Sequence, residues 1–181
     1  MTGPVERVVL ALGSNLGDRA ATLALAVQSI AGLPKTALVA VSPVYESVAV
    51  KLDGVDESAP RYFNAVLTID YSGNPHALLD AVNVIEARHG RVRAERWGDR
   101  TLDIDLIVFG ALILDDDRLT LPHPRAAERD FVLAPWLDLD AAAVIPGRGP
   151  VRDLLAATTR TVRRAVDAAA PESSPAPGAQ R

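Results

Sequence analysis

Four β-rich apolar runs alternate with two amphipathic helical stretches, and this order constrains the fold more than any other feature of the chain. The runs predict strands at Arg7–Leu12, Thr36–Ser47, Tyr62–Tyr71 and Thr101–Phe109. Asp18 is a candidate N-cap for a first helix that ends near Ile30, and Asn74-Pro75 is a typical start for a second helix. The order β-α-β-β-α-β favours an α+β sandwich of the ferredoxin-like type, in which helices pack on a mainly antiparallel sheet.

Both predicted helices have one apolar face at the spacing of a helix that is buried on one side. These faces consist of Leu23, Val27 and Ile30 in the first helix and Leu78, Val82 and Ile85 in the second. Gly32 and Pro34 are expected to end the first helix. Gly90 is expected to end the second helix in the left-handed conformation.

The C-terminal part of the chain adds helices to this core. Helical stretches are expected at about Arg125–Trp136 and Val151–Ala169, and Val48–Arg61 is expected to be a long connecting loop. From Pro171 onward the chain is rich in Pro, Ser and Ala and lacks apolar anchors, which is typical of disorder. We therefore expect a single domain over residues 1–170 and a disordered tail over residues 171–181.

Composition narrows the classes of function. The chain has 181 residues and a formal net charge of −4, so bulk attraction to nucleic acid or to an anionic membrane is not expected. There are no cysteines, which excludes disulfides and thiolate metal sites. No apolar stretch approaches the roughly 20 residues that span a bilayer, and the N-terminus lacks a signal-peptide pattern. A monomeric cytoplasmic protein is the default expectation.

Asp103 and Asp105 lie two positions apart in a predicted strand, so both carboxylates should point to one side of the sheet. Leu102, Ile104 and Leu106 should then face the core. Two adjacent carboxylates repel each other unless a cation lies between them, and oxygen ligands suit Mg²⁺ that is also bound to phosphates. The alternative is a solvated sheet face that carries two acids.

A basic segment precedes these aspartates. Arg91, Arg93, Arg96 and Arg100 lie within ten residues, and the segment has a local charge of +2 once its two acids are counted. Guanidinium groups present rigid paired donors that suit phosphate oxygens, and Trp97 gives the segment an apolar tip. Arginines that lead into paired carboxylates are what a Mg²⁺–triphosphate site requires. The alternative is an exposed basic loop paired with its own acids.

A histidine between two prolines belongs to a second group of candidates. The flanking prolines stiffen the backbone at His123 and favour a positioned hydrogen-bond donor, although a lone histidine is more often structural. Arg118, Thr120 and Arg129 could add contacts to phosphate, but their spacing is not diagnostic. Glu86, near the end of the second predicted helix, is expected on position alone to be a surface acid.

Two aromatic side chains adjoin polar residues. Tyr62 and Phe131 are either ordinary core residues or a stacking pair for a flat heterocycle. Asn64 lies on the same strand face as Tyr62, where its amide could meet the edge of such a ring.

Five blocks of this sequence together resemble the 6-hydroxymethyl-7,8-dihydropterin pyrophosphokinases of folate biosynthesis. The blocks are GSNLGDR (Gly13–Arg19), SPVYES (Ser42–Ser47), YFNAV (Tyr62–Val66), GRVRAERWGDRTLDIDLIVFG (Gly90–Gly110) and LPHPRAAERDFVLAPW (Leu121–Trp136). They span about the first 140 residues, and the fourth block followed by Pro-His-Pro is highly specific.

The resemblance implies a reaction and a set of site residues. ATP would donate a pyrophosphoryl group to the pterin hydroxymethyl oxygen and leave as AMP, with two Mg²⁺ ions bound by Asp103 and Asp105. Arg93, Arg100 and Arg129 would join these aspartates as catalytic residues. The implied ATP positions are Glu86, Arg96, Trp97, Arg118, Thr120 and His123, and the implied pterin positions are Ser47, Tyr62, Asn64 and Phe131. The segment that carries Trp97 is expected to close on ATP.

Two other classes of function stay open on the residues alone. A ferredoxin-like sheet with aromatic side chains can bind RNA, although this chain is net acidic and lacks the aromatic string typical of RNA-recognition domains. A Mg²⁺-dependent nucleotidyl or phosphoryl transferase with another acceptor would share the aspartates and arginines. Only Tyr62, Asn64 and Phe131, together with the family resemblance, favour a pterin acceptor.

Overall fold

The structure, a computed structural model, describes residues 3–51, 54–56, 61–89 and 101–165. Its strands are β1 (Glu6–Ser14), β2 (Thr36–Val41), β3 (Tyr45–Ser47), β4 (Ala49–Lys51), β5 (Gly54–Asp56), β6 (Tyr62–Tyr71), β7 (Asp103–Phe109), β8 (Leu114–Asp115), β9 (Thr120–Leu121), β10 (Val144–Ile145), β11 (Gly149–Pro150) and β12 (Arg163–Arg164). Its α-helices are α1 (Arg19–Ala31), α2 (Pro75–Arg88), α3 (Asp130–Leu139) and α4 (Val151–Ala157), and a 3-10 helix spans Ala126–Glu128. Within the described ranges, no helix is long and apolar enough to cross a membrane.

The central sheet is antiparallel and has the ferredoxin-like strand order. β1 lies between β7 and β6, and β2 and β3 both pair with the other edge of β6. Leu10 of β1 lies opposite Leu67 of β6 and Leu106 of β7. β12 pairs with β3 and adds an edge strand that the sequence pattern did not predict. The expected α+β class with a mainly antiparallel sheet is confirmed.

Helices cover both faces of this sheet, because its strands bury side chains alternately on the two sides. α1 and α2 pack on the face that carries Leu10. The predicted apolar positions of these two helices are all buried: Leu23, Val27, Ile30, Leu78, Val82 and Ile85. α3 and α4 pack on the opposite face, where Val9 of β1 joins Leu133 of α3. Each fully buried side chain of this size stabilises the fold by roughly 1.5–3 kcal/mol.

The two predicted N-caps are confirmed. The side chain of Asp18 accepts a hydrogen bond from the backbone N–H of Ala21 at 3.0 Å, and that of Asn74 accepts one from Ala77 at 2.8 Å. Each bond satisfies a backbone donor that the first turn of a helix leaves unpaired. Gly90 lies outside the described residues, so its left-handed conformation stays a prediction.

The strand predicted over Thr36–Ser47 is interrupted between β2 and β3. The hydroxyl of Ser42, which is fully buried, accepts a hydrogen bond from the Val66 backbone N–H at 2.9 Å, and the Ser42 N–H donates to the Val66 carbonyl at 2.8 Å. Pro43 follows and cannot donate to a sheet ladder. The loop expected over Val48–Arg61 also departs from expectation, because β4 and β5 form a short hairpin within it.

Two predicted helices have the wrong boundaries. The helix expected over Arg125–Trp136 is divided at Arg129, whose extended backbone (φ −105°, ψ 101°) separates the 3-10 helix from α3. The helix expected over Val151–Ala169 ends at Ala157, and the chain then extends into β12. Residues 166–181 lie outside the described ranges, so the disordered tail stays a prediction.

Candidate functional site

Asp103 and Asp105 lie at the start of β7 with their side chains on the face that α3 covers. In the pairing with β1, Asp103 lies opposite Gly13 and Asp105 lies opposite Ala11. Ile104, between the two aspartates, is buried in the core on the α1 and α2 side. The predicted alternation of carboxylates and core side chains along this strand is therefore confirmed.

Asp105 is in contact with two cationic or polar side chains from the segment that follows β9. Its Oδ2 lies 3.0 Å from Nη1 of Arg129 and 3.7 Å from Nε2 of His123. The Asp105 side chain keeps 31% of its surface exposed, whereas those of Arg129 and His123 keep 22% and 19%. The carboxylate is thus open to a ligand on one side and held by its own chain on the other.

The backbone places the His123 ring beside β7. The backbone N–H of His123 donates to the Ile107 carbonyl at 2.9 Å, and a cis Leu121–Pro122 peptide bond precedes this residue. Burial lowers the pKa of His123 below its ordinary value, and the Asp105 carboxylate opposes that shift. The Arg125 backbone N–H donates to Nδ1 at 3.2 Å, so the neutral ring carries its proton on Nε2, toward Asp105.

A cavity of about 450 Å³ lies on the α3 face of the sheet, and we call it the aromatic cavity. Its lining includes all four predicted pterin positions: Ser47, Tyr62, Asn64 and Phe131. The side-chain nitrogen of Asn64 donates to the Ser47 hydroxyl at 2.8 Å, which fixes the amide at the cavity wall. The Arg129 guanidinium lies 5.5 Å from the centre of the Phe131 ring.

A second cavity of about 310 Å³ lies next to α2, and we call it the α2 cavity. The predicted ATP positions in the described chain all line it: Glu86, Arg118, Thr120 and His123. The two cavities share Asp103, Asp105, His123 and Pro124. The structure therefore brings the predicted residues together as two groups that meet at the paired aspartates.

Glu86 is buried, with 1% of its surface exposed, so the expectation of a surface acid is wrong. Its Oε1 accepts a hydrogen bond from the backbone N–H of Ile104 at 2.8 Å. This bond ties α2 to the start of β7, between the two aspartates. Position along a helix could not reveal it, because the partner lies on a strand that follows a long intervening segment.

Arg118 and Thr120 are each bonded to an acid of their own chain. A guanidinium nitrogen of Arg118 donates to Asp80 of α2, and the Thr120 hydroxyl donates to Asp115 at 2.9 Å. Both side chains stand at the rim of the α2 cavity.

The basic segment lies outside the described residues. Arg91, Arg93, Arg96, Trp97 and Arg100 fall in the range 90–100, so their predicted roles and the predicted closure on ATP stay predictions.

Gly13 also lines the aromatic cavity, although it is not among the predicted site residues. It lies within β1 opposite Asn64, and a Cβ at this position would stand 3.5 Å from Asn64 Oδ1 and 3.9 Å from Tyr62 Cδ1. Glycine inside a strand often marks a close approach of backbone and ligand, and this signal could have identified it. Arg125 also lines the aromatic cavity, and its sequence context carries no comparable signal.

The sequence matches one protein family over most of its length. A family model described as 7,8-dihydro-6-hydroxymethylpterin-pyrophosphokinase matches residues 9–141. The 2-amino-4-hydroxy-6-hydroxymethyldihydropteridine pyrophosphokinase of Pseudomonas aeruginosa is 42% identical over 153 residues, which cover 84% of this chain and 92% of that protein. The protein of the same name from Mycobacterium tuberculosis is 42% identical over 165 residues, covering 84% of each chain.

Solved structures show the same fold. The Plasmodium falciparum HPPK-DHPS protein with pterin and p-hydroxybenzoate superimposes with a TM-score of 0.62 at 15% identity. The match covers 85% of this chain and 43% of that one, so this chain spans less than half the length of that protein. Since the family model covers more than half of the chain and the relatives are 42% identical over 84% of it, this chain belongs to the 7,8-dihydro-6-hydroxymethylpterin pyrophosphokinase family.

Proposed function

We propose that this chain binds ATP in the α2 cavity and 6-hydroxymethyl-7,8-dihydropterin in the aromatic cavity. The family reaction transfers the pyrophosphoryl group of ATP to the pterin hydroxymethyl group and releases AMP, as a step of folate biosynthesis. One observation carries the assignment of the cavities. The two cavities have different linings but share Asp103, Asp105 and His123, as two substrates that react with each other require.

The lining of the aromatic cavity supports a flat heterocyclic acceptor. Tyr62 and Phe131 supply apolar ring surface, which suits stacking on a pterin. Asn64 is buried, and its side-chain nitrogen donates a hydrogen bond to the Ser47 hydroxyl. Its side-chain oxygen is therefore the group proposed to accept a hydrogen bond from an N–H at the edge of the pterin ring. Gly13 leaves room beside this edge, because it has no side chain.

The donor set at Asp103 and Asp105 fits Mg²⁺. This ion usually binds one or two carboxylates and completes its shell with water and substrate phosphates. Among the described residues, no group of three or more His, Asp or Glu side chains could form a cage by itself, so a cation here would depend on the ATP phosphates. We propose that Asp103 and Asp105 hold two Mg²⁺ ions with ATP. When bound, Mg²⁺ supplies positive charge that offsets the charge on the transferred phosphates.

The remaining roles are positioning and neutralisation of charge. The pterin hydroxyl oxygen forms a bond to the β-phosphorus and loses its proton to solvent, while the bond from that phosphorus to the bridging oxygen of AMP breaks. His123 presents its Nε2 proton toward the shared wall, where it can donate to a phosphate oxygen. The Arg129 guanidinium lies near both Asp105 and the Phe131 ring, so it can offset negative charge on the reacting groups from the pterin side.

The basic segment completes this proposal. Arg93, Arg96 and Arg100 are proposed to bind the phosphates, and Trp97 is proposed to help exclude water when the segment closes.

We also propose a cytoplasmic, monomeric enzyme that does not bind nucleic acid, consistent with the net charge of −4. A molar mass near 19.2 kDa in light scattering would support the monomer, and a value near twice that would contradict it.

The reaction is tested by incubating the protein with ATP, Mg²⁺ and 6-hydroxymethyl-7,8-dihydropterin while nucleotides are separated by chromatography. We expect AMP to accumulate only when the pterin is present. Formation of ADP, or AMP release that does not depend on the pterin, would exclude the proposed function. A parallel incubation with a pterin that lacks the hydroxyl group serves as the control.

A further inference from the structure

The chain that follows α4 crosses the α3 side of the molecule, and we call residues 161–165 the strap. Its first contact is with Asp130, the first residue of α3, which is 5% exposed. Asp130 Oδ2 accepts hydrogen bonds from the Thr161 backbone N–H, from the Thr161 hydroxyl at 3.0 Å and from the Val162 N–H at 3.1 Å. Three donors on one buried carboxylate oxygen fix the start of α3 against the strap.

The second contact of the strap is with β3. Arg163 pairs with Glu46 in the sheet, and its guanidinium donates twice to Glu46 Oε2, at 3.0 and 2.6 Å. The Ala165 N–H donates to the Val44 carbonyl at 2.9 Å. These bonds hold β3 immediately before Ser47.

Arg164 joins the same two elements directly. Its guanidinium donates to Asp138 of α3 at 2.6 Å and to the Tyr45 hydroxyl of β3 at 3.3 Å. The Tyr45 hydroxyl in turn donates to Asp138 at 2.8 Å. The strap therefore links α3 and β3 at two places.

Both of these elements contribute lining residues to the aromatic cavity, Phe131 from α3 and Ser47 from β3. Asp130 lies between Arg129 and Phe131 in the sequence, and both of these neighbours line the cavity. Glu46 directly precedes Ser47, which also lines it. The residues that bond to the strap do not line the cavity themselves, but they fix the backbone on which the lining residues stand.

We propose that the strap positions Phe131 relative to Ser47, and so sets the width of the aromatic cavity for the acceptor. Thr161, Arg164 and Asp130 are positioning residues, because they act through the cavity lining and do not touch the reacting atoms. The strap lies beyond residue 141, where the family model ends. This proposal rests on the proposed function, since it assigns the aromatic cavity to the pterin.

The first test compares threonine variants of the chain after α4. Thr161→Val removes one donor to Asp130, and we expect it to raise the KM for the pterin by about fivefold, with the KM for ATP and kcat nearly unchanged. Thr161→Ser keeps the hydroxyl and should restore the wild-type KM. Thr158→Val is the matched control, because within the described part of the chain the Thr158 hydroxyl bonds to the Leu155 carbonyl at its own helix end, at 2.9 Å, and not to α3 or β3.

The second test uses the other link. Arg164→Gln breaks the contacts with Asp138 and Tyr45 and should again raise the pterin KM selectively. Arg152→Gln is its control, because Arg152 is an exposed arginine of α4 that bonds to the Ala141 carbonyl at 2.6 Å.

An unchanged pterin KM in both Thr161→Val and Arg164→Gln would overturn the role of the strap. An equal rise in the KM for ATP, or an equal rise in the controls, would overturn it as well. Wild-type protein in the same assay separates this proposal from the one on which it rests. If the wild type turns over normally and the variants keep its pterin KM, only the proposed role of the strap is contradicted. If the wild type releases no pterin-dependent AMP, the proposed function and the proposed role of the strap are both contradicted.

Discussion

Asp105 is the residue at which the two cavities and the side chains of Arg129 and His123 meet. Asp105→Ala should lower kcat by roughly a hundredfold or more, because a proposed metal ligand is lost. The melting temperature should change little, since the Asp105 side chain is partly exposed and its loss opens no cavity in the core. Steady-state AMP release and thermal unfolding followed by circular dichroism measure the two effects.

Asp70→Ala is the matched control for this substitution. Asp70 is also a strand aspartate paired with an arginine, at 2.7 Å from Arg7, but it lies at the opposite end of β6 from Tyr62. Such surface pairs contribute about 0–1 kcal/mol, so Asp70→Ala should leave turnover intact. Near-normal turnover in Asp105→Ala would rule out the proposed metal role.

Gly13 offers a test on the acceptor side. A Cβ added at Gly13 would lie at an ordinary contact distance from Asn64 and Tyr62, so the Gly13→Ala variant should fold normally. The added methyl group would occupy space in the aromatic cavity, and we expect the pterin KM to rise about tenfold while the KM for ATP stays the same. Gly32→Ala at the end of α1 is the control, because its Cβ would also meet only ordinary contacts, at 3.5 and 3.6 Å. Equal KM values for the pterin in both variants would contradict the assignment of this cavity.

At the scale of elements, the bond from Glu86 to Ile104 connects α2 to the strand that carries both aspartates. Glu86→Ala would leave the buried Ile104 N–H without this acceptor, which should lower the free energy of unfolding by about 1–3 kcal/mol. Glu86→Gln keeps an oxygen in place and should lose less. Urea denaturation of the two variants measures the difference, and equal losses would show that the hydrogen bond is not the stabilising contact.

Local signals in the sequence predicted where the first two helices begin. Asp18 and Asn74 were identified as caps because a side-chain oxygen at that position satisfies a backbone donor within the next turn. The alternation of Asp103, Ile104 and Asp105 was equally local, because side chains in a strand point to opposite faces by geometry alone.

Contacts between distant segments decided the element boundaries that were predicted wrongly. β2 ends where Ser42 bonds to Val66, 24 residues away in the sequence. α4 ends at Ala157, and the β-branched threonines that follow weaken helix formation while Asp130 offers Thr161 an alternative partner. The edge strand β12 had no signal of its own in the sequence.

At the scale of the whole molecule, the fold joins segments that are far apart in the sequence into one site. Ser47 comes from β3, Phe131 from α3 and Asp105 from β7, yet all three line one cavity. The chemical character of these positions could be predicted from residue types and family resemblance. The resemblance also implied separate ATP and pterin positions, whereas the link that the strap makes between α3 and β3 depends on tertiary packing and could not be predicted.

Each substrate is proposed to have its own cavity, and binding measurements on a pair of variants can separate the two. Phe131→Leu and Arg118→Ala are compared with the wild type by calorimetric titration of a non-hydrolysable ATP analogue with Mg²⁺, and of the pterin with that analogue at saturation. We expect Phe131→Leu to weaken only the binding of the pterin and Arg118→Ala to weaken only the binding of the analogue, each by roughly tenfold. If Phe131→Leu weakened the analogue, or if Arg118→Ala weakened the pterin at saturating analogue, the division into two substrate cavities would be contradicted.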